Sequence, residues 1–247
     1  MLGKRLFSVI CLLILIVCSS NVRAQNGKTG TWGIVTVTLP GDSTHRWGGY
    51  IELQTRTNTF FNQAFYYEVK GGISYDIAKN YTALIGTGRY VTYDYNELDE
   101  PPTVLETRLW EQMTVNQLLD RIKIEHRYRI EQRFFDHTPY RNRFRYRLNL
   151  AIPINHRKVE PKTYYAAVFD EIFLNNKAPH FERNRLYVGM GYQFNKSLSL
   201  QLGWMQQYNY SLNSASTGGK NNLAINVQYR FNRKNTKPKE HIPGMQD

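Results

Sequence analysis

The dominant pattern along the chain is alternation of apolar and polar positions, repeated in segment after segment. Arg121 to Phe134 reads RIKIEHRYRIEQRF. One side carries Ile122, Ile124, His126, Tyr128, Ile130, Gln132 and Phe134. The other carries Arg121, Lys123, Glu125, Arg127, Arg129, Glu131 and Arg133. Arg143 to Ile152 repeats this: Phe144, Tyr146, Leu148, Leu150 and Ile152 share one side, and Arg143, Arg145, Arg147, Asn149 and Ala151 the other. A helix would spread these charges around its circumference, whereas a strand sends successive side chains to opposite faces. The same period of two runs through 65–76, 185–194, 198–205 and 223–231.

Eleven segments read as strands, near 32–39, 47–57, 64–77, 81–93, 105–118, 121–135, 142–154, 163–174, 183–194, 198–210 and 221–231. Short linkers lie at 78–80, 119–120 and 195–197, and longer ones at 94–104, 136–141 and 211–220. Short turns at one end and long loops at the other are expected of an outer-membrane barrel. Bacterial single-chain barrels have even strand numbers. That preference predicts ten or twelve strands, with two strands merged in one segment or with 32–39 outside the wall.

A soluble sandwich or a lipocalin-like binder also alternates, with its apolar face inward. Two features oppose that reading. The polar faces are rows of arginine, and aromatics gather near strand ends: Phe134 and Phe135, Tyr208 and Tyr210, Tyr164 and Tyr165, Tyr93 and Tyr95. Such aromatics suit the two girdles of a membrane-spanning sheet, which must close because lipid satisfies no open edge. The fold class expected is all-β, an antiparallel transmembrane β-barrel of about 10–12 strands over residues 25–231.

Composition changes the picture in two places. The mean hydropathy of −0.54 argues against a bundle of membrane helices, and 14% aromatic residues is too many for a disordered chain. The one long apolar run, Leu6 to Val17, follows Lys4 and Arg5 and precedes Val22-Arg23-Ala24. It reads as a signal peptide over 1–24, cleaved after Ala24. A lipoprotein signal would use Cys18, but Val17 stands where a small residue is needed. Both cysteines, Cys11 and Cys18, fall in this segment, so the mature chain has no disulfide framework and no thiolate chemistry. Removing its three bases lowers the net charge from +12 to +9. A secreted chain of this charge is not expected to meet nucleic acid. The polar stretch 232–247 reads as a disordered basic tail. Val227-Gln228-Tyr229-Arg230-Phe231 resembles the C-terminal signal that outer-membrane barrels present to the barrel-assembly machinery.

Candidate chemistry lies in the basic stripe: Arg108, Arg127, Arg129, Arg133, Arg143, Arg145 and Arg147, with Glu125 and Glu131 as acidic partners. Pairing about Leu119-Asp120 sets Glu131 opposite Arg108, and pairing about residue 138 sets it opposite Arg145. Either these side chains knit with Glu52, Glu68 and Asp76 to fill a narrow barrel, or their surplus charge favours small anions. Glu111 and His126 fall on the lipid side by parity, diagonally adjacent in that register, and one of Asp170 and Glu171 must do the same. Ionisable groups within a membrane are functional candidates. No GxSxG elbow or HExxH motif is present, and the six histidines are scattered. No catalytic residue, metal site or cofactor is expected. The function read here is an outer-membrane barrel in contact with lipids, a small anion-favouring pore or a structural barrel; a lipid-modifying barrel enzyme and a periplasmic binder are the alternatives.

The runs RLWEQMTVNQLLDRIKIEHRYRIEQRFF, YRNRFRYRLNLAIPIN, YYAAVFDEIFLN and RLYVGMGYQF resemble an uncharacterised bacterial barrel family, domain-of-unknown-function family 2490. The resemblance is strongest from Arg108 to Phe194. It implies an outer-membrane barrel in a Gram-negative bacterium and brings no catalytic residue with it.

Overall fold

A computed structural model describes residues 29–42, 44–212 and 217–232. Residues 1–24, expected to be a signal peptide, and the tail beyond Asn232 lie outside the described residues. Eleven strands follow one another: β1 Gly30–Leu39, β2 Trp47–Thr59, β3 Asn62–Ala78, β4 Tyr81–Thr92, β5 Val104–Leu119, β6 Ile122–Phe135, β7 Arg141–Pro153, β8 Thr163–Asn175, β9 Phe181–Gln193, β10 Leu198–Asn209 and β11 Gly218–Arg230. They close into one barrel in sequence order. Each strand pairs antiparallel with the next, and β1 pairs parallel with β11 over Gly30–Thr38 and Asn222–Arg230.

The even count is therefore wrong, and the segment near 32–39 is a full wall strand. The reason is geometric. An odd number of up-and-down strands leaves the first and last pointing the same way, and a parallel ladder, slightly weaker per residue, still closes the sheet. The linkers do not sort cleanly by length either. The end that holds the tight connections at 79–80 and 120–121 also holds the long ones at 40–46 and 154–162.

The strands are steeply inclined. Following paired residues from Trp32 in one direction gives Arg56, Tyr66, Thr92 and Val104. In the other direction the path runs through Ala224, Gly203, Gly189, Ala167, Ala151 and Lys123 to Leu118. The circuit thus returns to β5 fourteen residues from where it left, at Leu118 rather than Val104. With usual strand spacings, that stagger over eleven strands corresponds to a tilt of roughly 40°.

Alternation places the two faces as the period of two requires. Outward residues are large, apolar and open: Ile85 is 71% exposed and Ile73 65%. Inward residues are polar or aromatic and enclosed: Glu131, Glu171 and Trp110 are each 0% exposed. Aromatic pairs mark both rims. Phe65–Tyr95, Tyr67–Tyr93, Phe134–Tyr140 and Phe181–Tyr210 lie at one, and Trp47–Tyr75, Tyr164–Tyr192 and Tyr229–Phe231 at the other. Tyr165, expected among them, is instead fully buried inside, because its parity is opposite to that of Tyr164.

Candidate functional site: the interior of the barrel

The two-residue connection Asp120-Arg121, with Asp120 at a φ of 52°, sets the β5–β6 register. It puts Glu131 opposite Trp110 and Arg108 opposite Arg133. Across β6–β7, Glu131 faces Arg143, Arg129 faces Arg145 and Arg127 faces Arg147. Both registers differ by two residues from those expected. A shift of two preserves the face of every side chain, so the arginines still point inward while their direct neighbours change.

Each buried carboxylate in this wall is shared. Glu131 binds Arg143 at 2.5 Å and Arg145 at 2.6 Å, with Arg129 at 3.6 Å. Glu171 is the hub of the next layer: Arg127 at 2.7 Å, Arg145 at 2.8 Å, Arg147 at 2.7 Å and Arg185 at 4.0 Å. Glu106 takes both prongs of Arg108, at 2.6 and 2.7 Å, and also binds Arg133. A register irregularity between Phe173 and Leu174 turns Glu182 inward, where it reaches Arg143 at 3.1 Å and Arg133 at 3.6 Å. The guanidinium planes also rest on rings. Arg143, Arg145, Arg183 and Arg185 all lie over Phe173, and Arg108 lies 3.7 Å from the Tyr90 centroid.

Glu125 faces Asn149 across the ladder, hydrogen-bonds with its side chain and lies in the field of Arg127 and Arg147. The carboxylates expected to knit the stripe do something else. Glu52 and Glu68 clasp Lys70 at 2.8 and 2.5 Å, with Arg56 3.6 Å from Glu68, while Asp76 accepts from Thr82. Glu106, Glu171 and Glu182 take their place. Glu171 was legible only as one of an inside–outside pair with Asp170. Glu182 carried no signal, because a bulge is invisible to parity.

Glu111 and His126 face outward, as parity requires, but they do not meet. Glu111 accepts from Gln132 at 2.9 Å and opens into an outer groove of about 480 Å³ lined by Trp47, Ile73, Ile85, Met113 and Ile130. His126 contacts the Tyr146 hydroxyl at 2.9 Å. The two-residue shift in register separates them, since Glu111 pairs with Ile130 and His126 with Val115. Asp170 is the outward member of its pair and accepts from Asn184.

The remaining wall, β8 to β11 with β1, is filled differently. Trp32, Ile34, Tyr165, Ala167, Phe169, Tyr187, Met205 and Ala224 form one apolar cluster. Tyr165 lies flat over Gly191, and Tyr187 over Gly189 and Gly203, so closely that a Cβ at any of the three would run into the ring.

Among the described residues, eleven basic side chains are buried against five buried carboxylates, with Glu125 and Glu182 partly buried beside them. Nine of the bases and three of the acids stand on β5–β9. The interior is packed, and it carries surplus positive charge on one side.

A search of curated proteins returned no match. Among solved structures, the chain is similar to an anion-selective porin from Comamonas acidovorans, at 11% identity and a TM-score of 0.37. The alignment covers 75% of this chain and 58% of the porin, so it spans little more than half of that protein's length. The family profile described as "Protein of unknown function (DUF2490)" matches residues 29–218. Since that span takes in β1 to β10 and the start of β11, nearly the whole wall of the barrel, the chain belongs to the DUF2490 family.

Proposed function

We propose that this protein is an outer-membrane barrel that admits small anions into a packed, arginine-rich interior and is not a general diffusion pore. The observation that carries the reading is the buried surplus of bases over carboxylates on β5–β9. Uncompensated charge in an enclosed interior is costly by several kcal/mol per ion. A small anion is the partner that offsets it without enlarging the barrel. Low exposure of the inward side chains supports exclusion of larger solutes. The apolar outer face, the aromatic rims and the strand tilt support a membrane setting with lipid around the wall. On this reading residues 1–24 direct export in a Gram-negative cell, and the strand ending at Phe231 is the segment the barrel-assembly machinery engages.

The test is reversal potential across planar bilayers holding refolded protein in a chloride gradient. Anion preference is expected, moving toward zero when Arg145 and Arg147 are both replaced by Ala. Cation preference, permeation by neutral sugars, or no conductance at all would overturn the reading.

A further inference from the structure

Four inward positions on neighbouring strands share one paired row: Tyr50 on β2, Gly72 on β3, Gly86 on β4 and Trp110 on β5. The two central residues have no side chain, and the row has no room for one. A Cβ on Gly86 would enter the Trp110 indole, and one on Gly72 would sit 3.0 Å from Leu84 Cδ2. Tyr50, Leu84 and Trp110 accordingly pack as a separate buried cluster over this glycine floor.

Trp110 is 0% exposed and Tyr50 6%. Neither the Trp110 Nε1–H nor the Tyr50 hydroxyl has a hydrogen-bond partner. Buried polar groups are nearly always paired; the Tyr165 and Tyr187 hydroxyls of the opposite wall are in the same position, but the donors of Tyr50 and Trp110 stand beside Arg129. Three bases stand around them, with Glu52 also acting on the Tyr50 hydroxyl. Arg129 lies over the Trp110 ring at 5.0 Å, and the Tyr50 hydroxyl interacts electrostatically with Arg129, Lys70 and Arg127. The acids nearby are Glu52 and Glu131. Glu52 is held by Lys70 and Thr36, and Glu131 by Arg143, Arg145 and Arg129. Orphaned donors, a cationic surround and engaged carboxylates together describe an anion cradle.

We infer that Tyr50 and Trp110, over the Gly72–Gly86 floor and beside Arg129, form a binding site for a small monovalent anion of the halide class. The inference rests on the anion-admitting reading of the interior and gives it a location. The ligand accepts from the Tyr50 O–H and the Trp110 N–H and faces the Arg129 guanidinium. A divalent oxyanion is disfavoured, because the two neutral donors and the already engaged bases offer too few contacts for three or four oxygens.

The direct test is anomalous diffraction from crystals of the full barrel grown in bromide. A bromide peak within hydrogen-bond reach of Tyr50 Oη and Trp110 Nε1 is expected. A water there, or no peak, overturns the site. Bromide found only among Arg127, Arg145 and Arg147 would overturn it while leaving the anion-admitting reading standing. An interior without bromide, in a barrel with no anion preference, removes both.

In solution, replacing gluconate by chloride at constant ionic strength should raise the melting temperature of the wild type by several degrees. Tyr50→Phe and Trp110→Phe should each abolish at least half of that rise while keeping the heat-modifiable gel shift of a folded barrel. An undiminished rise in both variants would also overturn the site.

Discussion

The barrel solves the problem of burying charge twice, in opposite ways. On β2 and β3, Lys70 and Arg56 meet Glu52 and Glu68, two bases for two acids, with hydroxyls of Thr36 and Tyr66 completing the carboxylates. On β5–β9, nine buried bases crowd around three buried acids, with Glu182 and Glu125 partly buried at the margin, and each of the three serves two or more arginines. The first cluster is self-sufficient. The second is short of negative charge, and its like-charged pairs Arg127–Arg147 and Arg129–Arg145 face each other directly across one ladder. A region built only for stability would resemble the first. On the proposed reading, the contrast separates filling a barrel from preparing it for an anion.

Substitutions that remove acids or bases from either cluster sharpen this contrast. The largest effect should come from Glu171→Ala, which takes the shared acceptor from Arg127, Arg145 and Arg147 at once. A loss of about 3–5 kcal/mol is expected, read as a fall in melting temperature or failure of the heat-modifiable shift. Added chloride should recover part of it. Absence of any recovery would count against an interior that accepts anions. Lys70→Met should cost nearly as much, about 3 kcal/mol, because it strands two carboxylates in the balanced cluster. Arg185→Met, by contrast, should cost less than about 1 kcal/mol, since Glu171 keeps three arginines and the methionine keeps the apolar stem. Equal costs for Lys70→Met and Arg185→Met would erase the distinction between the clusters.

The aromatic wall offers a control that involves no charge. Gly191→Ala must push the Tyr165 ring aside and should cost about 1–3 kcal/mol, with no change in response to chloride. The smallest effect is expected on the outer face. Glu111→Leu removes a carboxylate from an apolar groove and should leave stability in detergent within about 0.5 kcal/mol. Slower unfolding in lipid vesicles is expected, and faster unfolding there would mean that the hydrogen bond from Gln132 outweighs the cost of a carboxylate in the apolar groove.

Strand parity made the outline legible from sequence. All eleven segments fall within three residues of the strands observed, and the inward arginines were assigned to their face by alternation alone. Parity cannot measure register, however. A turn placed at Leu119-Asp120 instead of Asp120-Arg121 moves every partner by two while leaving each face intact, so the separation of Glu111 from His126 was not visible. The even-number preference of single-chain barrels misleads on strand count, because the segment near 32–39 forms a wall strand of its own, Gly30–Leu39. The row of Tyr50, Gly72, Gly86 and Trp110 could not be read at all. It joins residues far apart in the chain through three successive registers, and two of its members announce themselves only by lacking a side chain.

The parallel seam between β1 and β11 has a topological consequence. Gly30 opens the wall at the rim where β11 begins, and Arg230 closes it at the other rim. A short linker therefore cannot join the two ends of the wall, and circular permutation, tolerated where ends lie close together, is barred here. The seam also unites the first and last strands of the wall, Gly30 with Asn222 and Thr38 with Arg230. Hairpins can form one after another from β1 onward, but the cylinder stays an open, curling sheet until its last strand is made. Then a single zipper of nine residue pairs turns a ribbon into a tube.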